Sequence, residues 1–352
     1  MKYNNYSIIT TFLAALFGAG FVACKEIEYF LLYDPSIAIL SVLLYFAILF
    51  SFAYFTMKLS YQNDIDSFDK LVSQDNKIIQ TLSNLTFPIF AICLLTISFS
   101  GFATLIENTF SIPKIIGTAL ITIIVITVSF FGSKKMSGLF KYSTPIIVVI
   151  TLFLLVYAIF KDVEVSKTVM EIKYVHPTNN QFINVAIYAL ECYQISLLLQ
   201  ISLGRKANSL KDIKQGVFIT CALYSIALML ACAALLKYAT IIGDVQIPLL
   251  EIINYQNISV LSITLVIVLF VGFITSSLST MFGYVNYVGN SRLKEHTKII
   301  TVITCIIALV FSQFSFSSLI STIFPVVGIV GLINFILIII NSKKLKKAQE
   351  TL

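Results

Sequence analysis

The feature that most constrains this chain is a series of ten apolar blocks, most of them about 20 residues or longer. That is the length a helix needs to cross a hydrocarbon core of ~30 Å. No water reaches the backbone there, so each block must close its own hydrogen bonds as a helix. The alternating pattern of a transmembrane β-barrel is absent. The fold class predicted is therefore an all-α integral membrane protein of about ten transmembrane helices. The spans are 6–33, 36–57, 81–106, 112–131, 140–160, 180–203, 213–237, 257–289, 297–313 and 316–341. Chain breakers separate them, among them Asp34-Pro35, Ile112-Pro113 and the run from His176 to Asn180. Of the connections, 58–80 and 161–179 are long enough to hold short interfacial helices.

Charge placement gives a topology. Charged residues are 12% of the 352, about half the ~25% of soluble domains. With the amino terminus inside, 18 of the 24 lysines and arginines fall on the cytoplasmic side and five on the other. Lys25 lies within the first span. The bias alternates loop by loop, which predicts an even number of spans and both termini in the cytoplasm. The first apolar stretch runs into Lys25, Glu26 and Glu28 rather than a small-residue cleavage site, so it is read as a retained span.

Several function classes are excluded on the same evidence. The basic residues sit in short loops without a nucleic-acid motif, so no nucleic-acid partner is expected. All six cysteines fall inside apolar blocks, where thiols act as small hydrophobes, and no structural disulfide is expected. His176 and His296 lie in loops on opposite sides. No metal-ligand spacing, phosphate-binding loop or nucleophile with a base is present. An enzyme is not expected, nor a resident cofactor.

The spans repeat. The midpoints of spans six to ten follow those of spans one to five by roughly 172 to 184 residues. Five is odd, so a second copy would enter the membrane from the opposite side, the inverted-repeat plan of many secondary transporters. The predicted organisation is one domain over 1–352 with pseudo-repeats 6–160 and 180–341. Ten helices with similar loops would also give similar offsets.

The first span carries Gly18-Ala19-Gly20 at its midpoint. Each glycine costs about 1 kcal/mol in a helix interior relative to alanine, so the helix is predicted to break there. A break frees amide groups of Ala19, Gly20 and Phe21 to meet a substrate carboxylate at a helix amino terminus. The plain alternative is close helix packing through small residues. The stretch Gly18-Ala19-Gly20-Phe21, followed by Lys25-Glu26-Ile27 and Tyr29-Phe30, resembles the opening signature of the YkvI-type bacterial membrane proteins. These are relatives of the amino acid–polyamine–organocation (APC) superfamily, whose first helix has a similar carboxylate-binding break. The resemblance implies a LeuT-like fold of two inverted five-helix repeats in a bacterial cytoplasmic membrane.

The eighth span places five hydroxyls in the six residues from Thr275 to Thr280. The run is similar to the sodium site of LeuT-type symporters. By that resemblance, the Gly272 carbonyl, the Thr275 and Ser276 hydroxyls, and the Ala14 and Phe17 carbonyls would hold sodium. Hydroxyls in membrane helices also bond their own i−4 carbonyls or join helices.

Glu191 sits at the midpoint of the sixth span, with Tyr188 one turn before it. A carboxylate there costs about 2.5–3.5 kcal/mol on insertion scales. Three readings stand: it binds a substrate ammonium, it carries a proton, or it pairs with Lys25 or stays neutral. The sixth span lacks a glycine break, so its unwinding is in doubt. Lys25 and Glu28 form either an external gate or a local ion pair. Glu26 and Glu107 are expected near the outer surface.

The function these features imply is a secondary transporter, working by alternating access. Its substrate would be an amino acid or similar small carboxylate-bearing amine, with sodium or a proton as coupling ion. The site would lie between spans one, three, six and eight. The alternative is a membrane sensor or partner subunit that keeps the fold without transporting.

Overall fold

The computed structural model describes residues 3–65, 67–72, 77–130, 133–161, 176–289 and 294–350. Apart from one isolated bridge between Tyr3 and Ala207, the regular structure there is helical. The first predicted span is three helices: α1 (Asn5–Leu16), α2 (Ala19–Ala23) and α3 (Lys25–Leu31). There follow α4 (Ala38–Gln62), α5 (Phe68–Val72), α6 (Lys77–Phe110), α7 (Lys114–Phe130) and α8 (Ser133–Phe160). The second part holds α9 (Gln181–Arg205), α10 (Leu210–Ile242), α11 (Pro248–Tyr255), α12 (Ser259–Gly289), α13 (Thr297–Phe311) and α14 (Phe316–Glu350).

Among the described residues, seven helices are long and apolar enough to cross a membrane: α4, α6, α8, α9, α10, α12 and α14. α7 and α13 occupy the predicted fourth and ninth spans but have only 17 and 15 residues. α5 lies in the 58–80 connection, where a short helix was expected. Most of the 161–179 connection, residues 162–175, is outside the described residues. α11 was not anticipated. Pro248 at its first position suits a helix start, where the missing N–H is not needed. Its Leu249, Leu250, Ile252 and Ile253 are buried.

The surface is inverted relative to a water-soluble protein. Ile39 of α4, Val149 of α8 and Val260 of α12 are each more than 60% exposed. Ser41, Thr56, Asn184, Glu191, Gln194 and Gln200 are buried. Apolar outside and polar inside is the arrangement a lipid solvent dictates, since buried polar groups find partners only within the bundle. They do so here. Asn334 of α14 donates to Gln194 of α9 at 2.9 Å. Thr56 of α4 and Tyr193 of α9 share a bond of 2.8 Å. Gln181 donates to the Leu31 carbonyl at 2.9 Å and to Ser41 at 3.0 Å, tying the start of α9 to α3 and α4.

α9 is the centre of the bundle, packed by α4 and α14 along its length and by α1 and α3 at the site. Its start is fixed by Asn180, whose side chain accepts from the amides of Phe182 and Ile183. Small residues let α14 come close. A Cβ added at Gly331 would lie 2.5 Å from the Leu190 carbonyl oxygen. The six cysteines are unpaired, and all but Cys93 are buried.

Candidate functional site

The first span breaks between α1 and α2, at Phe17 and Gly18. Phe17 ends α1 with ψ 59°, and Gly18 is extended with φ −75° and ψ 175°. The Gly18 amide turns to the Leu16 carbonyl at 2.8 Å rather than to Ala14. Among the described residues, no backbone N–H in this break donates to the carbonyls of Ala14 or Phe17. The amides of Gly20 and Phe21 likewise reach no backbone carbonyl across the break. Freed acceptors thus end α1 and freed donors begin α2. Gly20 itself lies inside α2, so the two glycines do different things.

A second break, not expected from the sequence, follows at Cys24. Its backbone is left-handed, with φ 63° and ψ 3°, a region non-glycine residues rarely occupy. Holding such a residue there costs of order 1–3 kcal/mol, a strain that tends to collect at functional sites. The turn ends α2 after five residues and redirects α3. Its consequence is the position of Glu26. Expected near the outer surface, Glu26 is instead buried and folds back over Gly20. A Cβ at Gly20 would sit 1.4 Å from Glu26 Oε1. The outer half of the span is therefore two short helices, with a carboxylate of the chain itself over the first turn.

The sixth span does not unwind. α9 runs unbroken from Gln181 to Arg205, and Glu191 projects from its middle with 1% exposure. Its Oε2 accepts from the Cys192 thiol at 3.4 Å. Tyr188, one turn earlier, donates to Glu26 Oε2 at 3.4 Å and shares a 3.0 Å bond with Tyr224 of α10. Behind these groups Tyr45, Tyr188 and Tyr224 pack with Phe17, Phe21 and Phe30, ring centroids 4.6–5.8 Å apart. Among the described residues, neither Glu26 nor Glu191 enters an ion pair.

The two carboxylates share a cavity of about 60 Å³. That is far below the ~300–1,000 Å³ of a typical ligand pocket, so in this conformation it admits only a very small guest. The first span lines it with Gly18, Gly20, Phe21 and Glu26, and α9 with Glu191, Cys192 and Ile195. α6 adds Leu94, Ile97 and Ser98, and α12 adds Phe273, Ser276 and Thr280. α14 contributes Phe316 and Phe324, a wall the sequence reading did not include. Tyr188 touches the site through Glu26 rather than lining it.

On the α12 side the two residues of the predicted cation pair differ. Ser276 faces the break: it lies 3.4 Å from Ser98 Oγ, and a Cβ at Gly18 would be 3.6 Å from its hydroxyl. Thr275 instead donates to the carbonyls of Val271 at 2.8 Å and Gly272 at 3.1 Å. That is the usual back-bonding of a threonine in a membrane helix. Its lone pairs remain available to a cation, as does a lone pair on the Gly272 carbonyl. Among the described residues, no three or more acidic, histidine or cysteine side chains are placed to hold a metal ion together.

Lys25 does not reach Glu191. It pairs with Glu28 at 3.0 Å and with Asp244 at 2.5 Å. Asp244 belongs to the connection between α10 and α11, so the pair becomes a three-membered tie from α3 to a neighbouring connection. Nothing in the residue pattern places Asp244 there.

No protein-family model matches the chain, and no curated protein matches it in sequence. Solved structures match in fold. The chain is similar to a Na⁺-coupled sialic acid symporter, solved substrate-bound and outward-open, with a TM-score of 0.68 and 14% identity. The match covers 96% of this chain and 79% of that one. It is also similar to mutants of the Eremococcus coleocola manganese transporter, with a TM-score of 0.54 and 12% identity over 95% of this chain and 85% of that one. At such identities the likeness is one of fold alone: the chain shares the helical fold of that symporter and of that manganese transporter.

Proposed function

We propose that this protein is a secondary active transporter that moves a small amine-bearing solute by alternating access, driven by a cation gradient. The observation that carries the reading is the meeting of an unbroken α9 bearing Glu191 with a broken first span, across one buried polar cavity. A buried carboxylate without an ion-pair partner is costly in a membrane, and such groups mark substrate or proton pathways. In this reading Glu191 binds an ammonium group or carries a proton. The amides of Ala19, Gly20 and Phe21 form the opposite pole, for a substrate carboxylate where the substrate has one. A sodium ion sits among the Ala14, Phe17 and Gly272 carbonyls and the Thr275 and Ser276 hydroxyls. Lys25 and Glu28, with Asp244, form the outer gate, and both termini are cytoplasmic.

The ten-span inverted repeat belongs to the same proposal, and the packing supports it. Pair spans one to five with six to ten, and the main contacts of the bundle correspond. α4 on α9 corresponds to α10 on α1, and α14 on α9 to α8 on α1. α13 on α6 corresponds to α7 on α12, and α12 on α8 to α6 on α14. A five-helix unit used twice, in opposite orientations, produces that correspondence. It leaves the site at the interface of the halves, where one can rock against the other.

The experiment is uptake by purified protein in proteoliposomes. A labelled amine or amino acid should accumulate only under an inward sodium or proton gradient. Collapse of the gradient should release it. Ligand binding with no accumulation under either gradient would replace this reading with the non-transporting sensor.

A further inference from the structure

We infer that the substrate is a small aliphatic amine that carries no carboxylate. This rests on reading the cavity as the substrate site, and it narrows the class that site accepts.

Charge is the first reason. Glu26 and Glu191 both line the cavity, and among the described residues no lysine or arginine does. Lys25, the nearest base along the chain, is held by Glu28 and Asp244. A zwitterionic ligand would bring a third carboxylate into a chamber with no fixed positive side chain. A net cation would neutralise what is there.

Space is the second reason. A ligand carboxylate needs the freed amides at the start of α2. The space beside residue 20, next to those amides, is taken by a carboxyl group of the chain itself. A Cβ at Gly20 would lie 1.4 Å from Oε1 and 2.4 Å from Cδ of Glu26. The absent side chain at residue 20 is what lets the carboxyl group lie there. α2, at five residues, adds little dipole to offset a second anion.

The rest of the wall suits an ammonium group. Phe21, Phe273, Phe316 and Phe324 line the same cavity, and aromatic faces attract cations once water is excluded. The hydroxyls of Ser98, Ser276 and Thr280 can accept from N–H groups. A diamine would meet both carboxylates. A monoamine would leave one for the coupling cation.

A matched four-carbon series tests this on the full-length protein in lipid nanodiscs: 1,4-diaminobutane, butylamine, 4-aminobutanoate and butanoate, with alanine added. Affinity is read by calorimetry and by the shift in thermal midpoint. The amines should bind at least tenfold more tightly than 4-aminobutanoate or alanine, and butanoate should not bind. Glu26→Gln should shrink the gap to threefold or less, by admitting the ligand carboxylate. Gly20→Ala, which forces the Glu26 carboxyl aside while keeping its charge, should shrink it partly.

Equal or tighter binding of alanine or 4-aminobutanoate by the unmodified protein would overturn the inference and leave the transporter reading intact. A tenfold amine preference that survives in both variants, each folded and monodisperse, would also overturn it. The comparison on the unmodified protein decides alone where a variant does not fold. If neither amines nor amino acids bind or accumulate, the transporter reading falls, and this inference with it.

Discussion

The first and sixth spans occupy corresponding places in the proposed repeat, and they are built in opposite ways. The first is cut twice, at Phe17–Gly18 and at Cys24, into α1, α2 and α3. The sixth is one continuous helix of 25 residues. Each brings one acid to the cavity, by a different route. Glu191 projects from a rigid α9 and is held by helix packing on several sides. Glu26 arrives because a left-handed residue turns α3 back toward α2. The pair combines a fixed charge with one on a short, jointed segment. In the proposed transport cycle, in which the site opens and closes, both kinds of support have a use.

The comparison breaks most readily at the fixed charge. Glu191→Gln keeps the shape of the side chain and removes its charge. Uptake in proteoliposomes should fall by about 100-fold, corresponding to ~2.7 kcal/mol at 1.36 kcal/mol per tenfold. The protein should still purify as a folded species, because Glu191 makes no ion pair among the described residues. Uptake within threefold of the original would remove Glu191 from the mechanism.

Next in size is the packing that keeps α9 straight. Gly331 of α14 lies against the Leu190 carbonyl, and an added Cβ would come within 2.5 Å of it. That atom is backbone and cannot swing away. Gly331→Leu should therefore destabilise the protein by about 1–3 kcal/mol, the usual cost of overpacking. Thermal unfolding in detergent, followed by tyrosine fluorescence or light scattering, reads the effect. An unchanged midpoint would mean that α14 can move off α9 freely, and that the rigidity assigned here to α9 is wrong.

The sequence showed some of this and hid the rest, for identifiable reasons. Blocks of apolar residues reveal helices because lipid allows few other solutions. A glycine pair at mid-span suggests a break, and an acid at mid-span stands out from its neighbours. Both signals are local. The position of Glu26 is not, since it depends on one residue, Cys24, adopting φ 63°. Nothing in the identity of a cysteine announces that. Phe316 and Phe324 were invisible for a related reason. Aromatic residues in membrane helices are common, and only the rotation of α14 brings these two to the cavity. The break also falls at the first glycine rather than across both. Gly20 serves a close approach instead.

A smaller effect separates the two neighbours on α12. Ser276 faces the break, while Thr275 is turned onto the carbonyls of Val271 and Gly272. Both belong to the proposed sodium site. Their removal should act differently. Ser276→Ala should raise the sodium concentration for half-maximal uptake by about tenfold, the scale of one lost ligand at ~1.4 kcal/mol. Thr275→Ala should raise it less, about threefold, because part of that hydroxyl's bonding is already met within its helix. Sodium dependence unchanged in both variants would leave the proton as the coupling ion.

The smallest effect is expected at the residue that most invites mutation. Gly18 marks the first break, yet its backbone is extended, with φ −75° and ψ 175°. Any residue can adopt that conformation. An added Cβ would meet only Ser276 Oγ, at an ordinary 3.6 Å. Gly18→Ala should therefore cost ~1 kcal/mol or less, mostly through the poorer capping preference of alanine at a helix start. Uptake should stay within about threefold, which is about half of a tenfold step in free energy, or ~0.65 kcal/mol. Gly20→Ala, two residues on, must displace the Glu26 carboxyl and should impair uptake more. Measured side by side, the two alanine variants ask whether the first span works through its break or through the acid folded over it. If Gly18→Ala is the more damaging, the break itself carries the function, and Glu26 is a bystander to it.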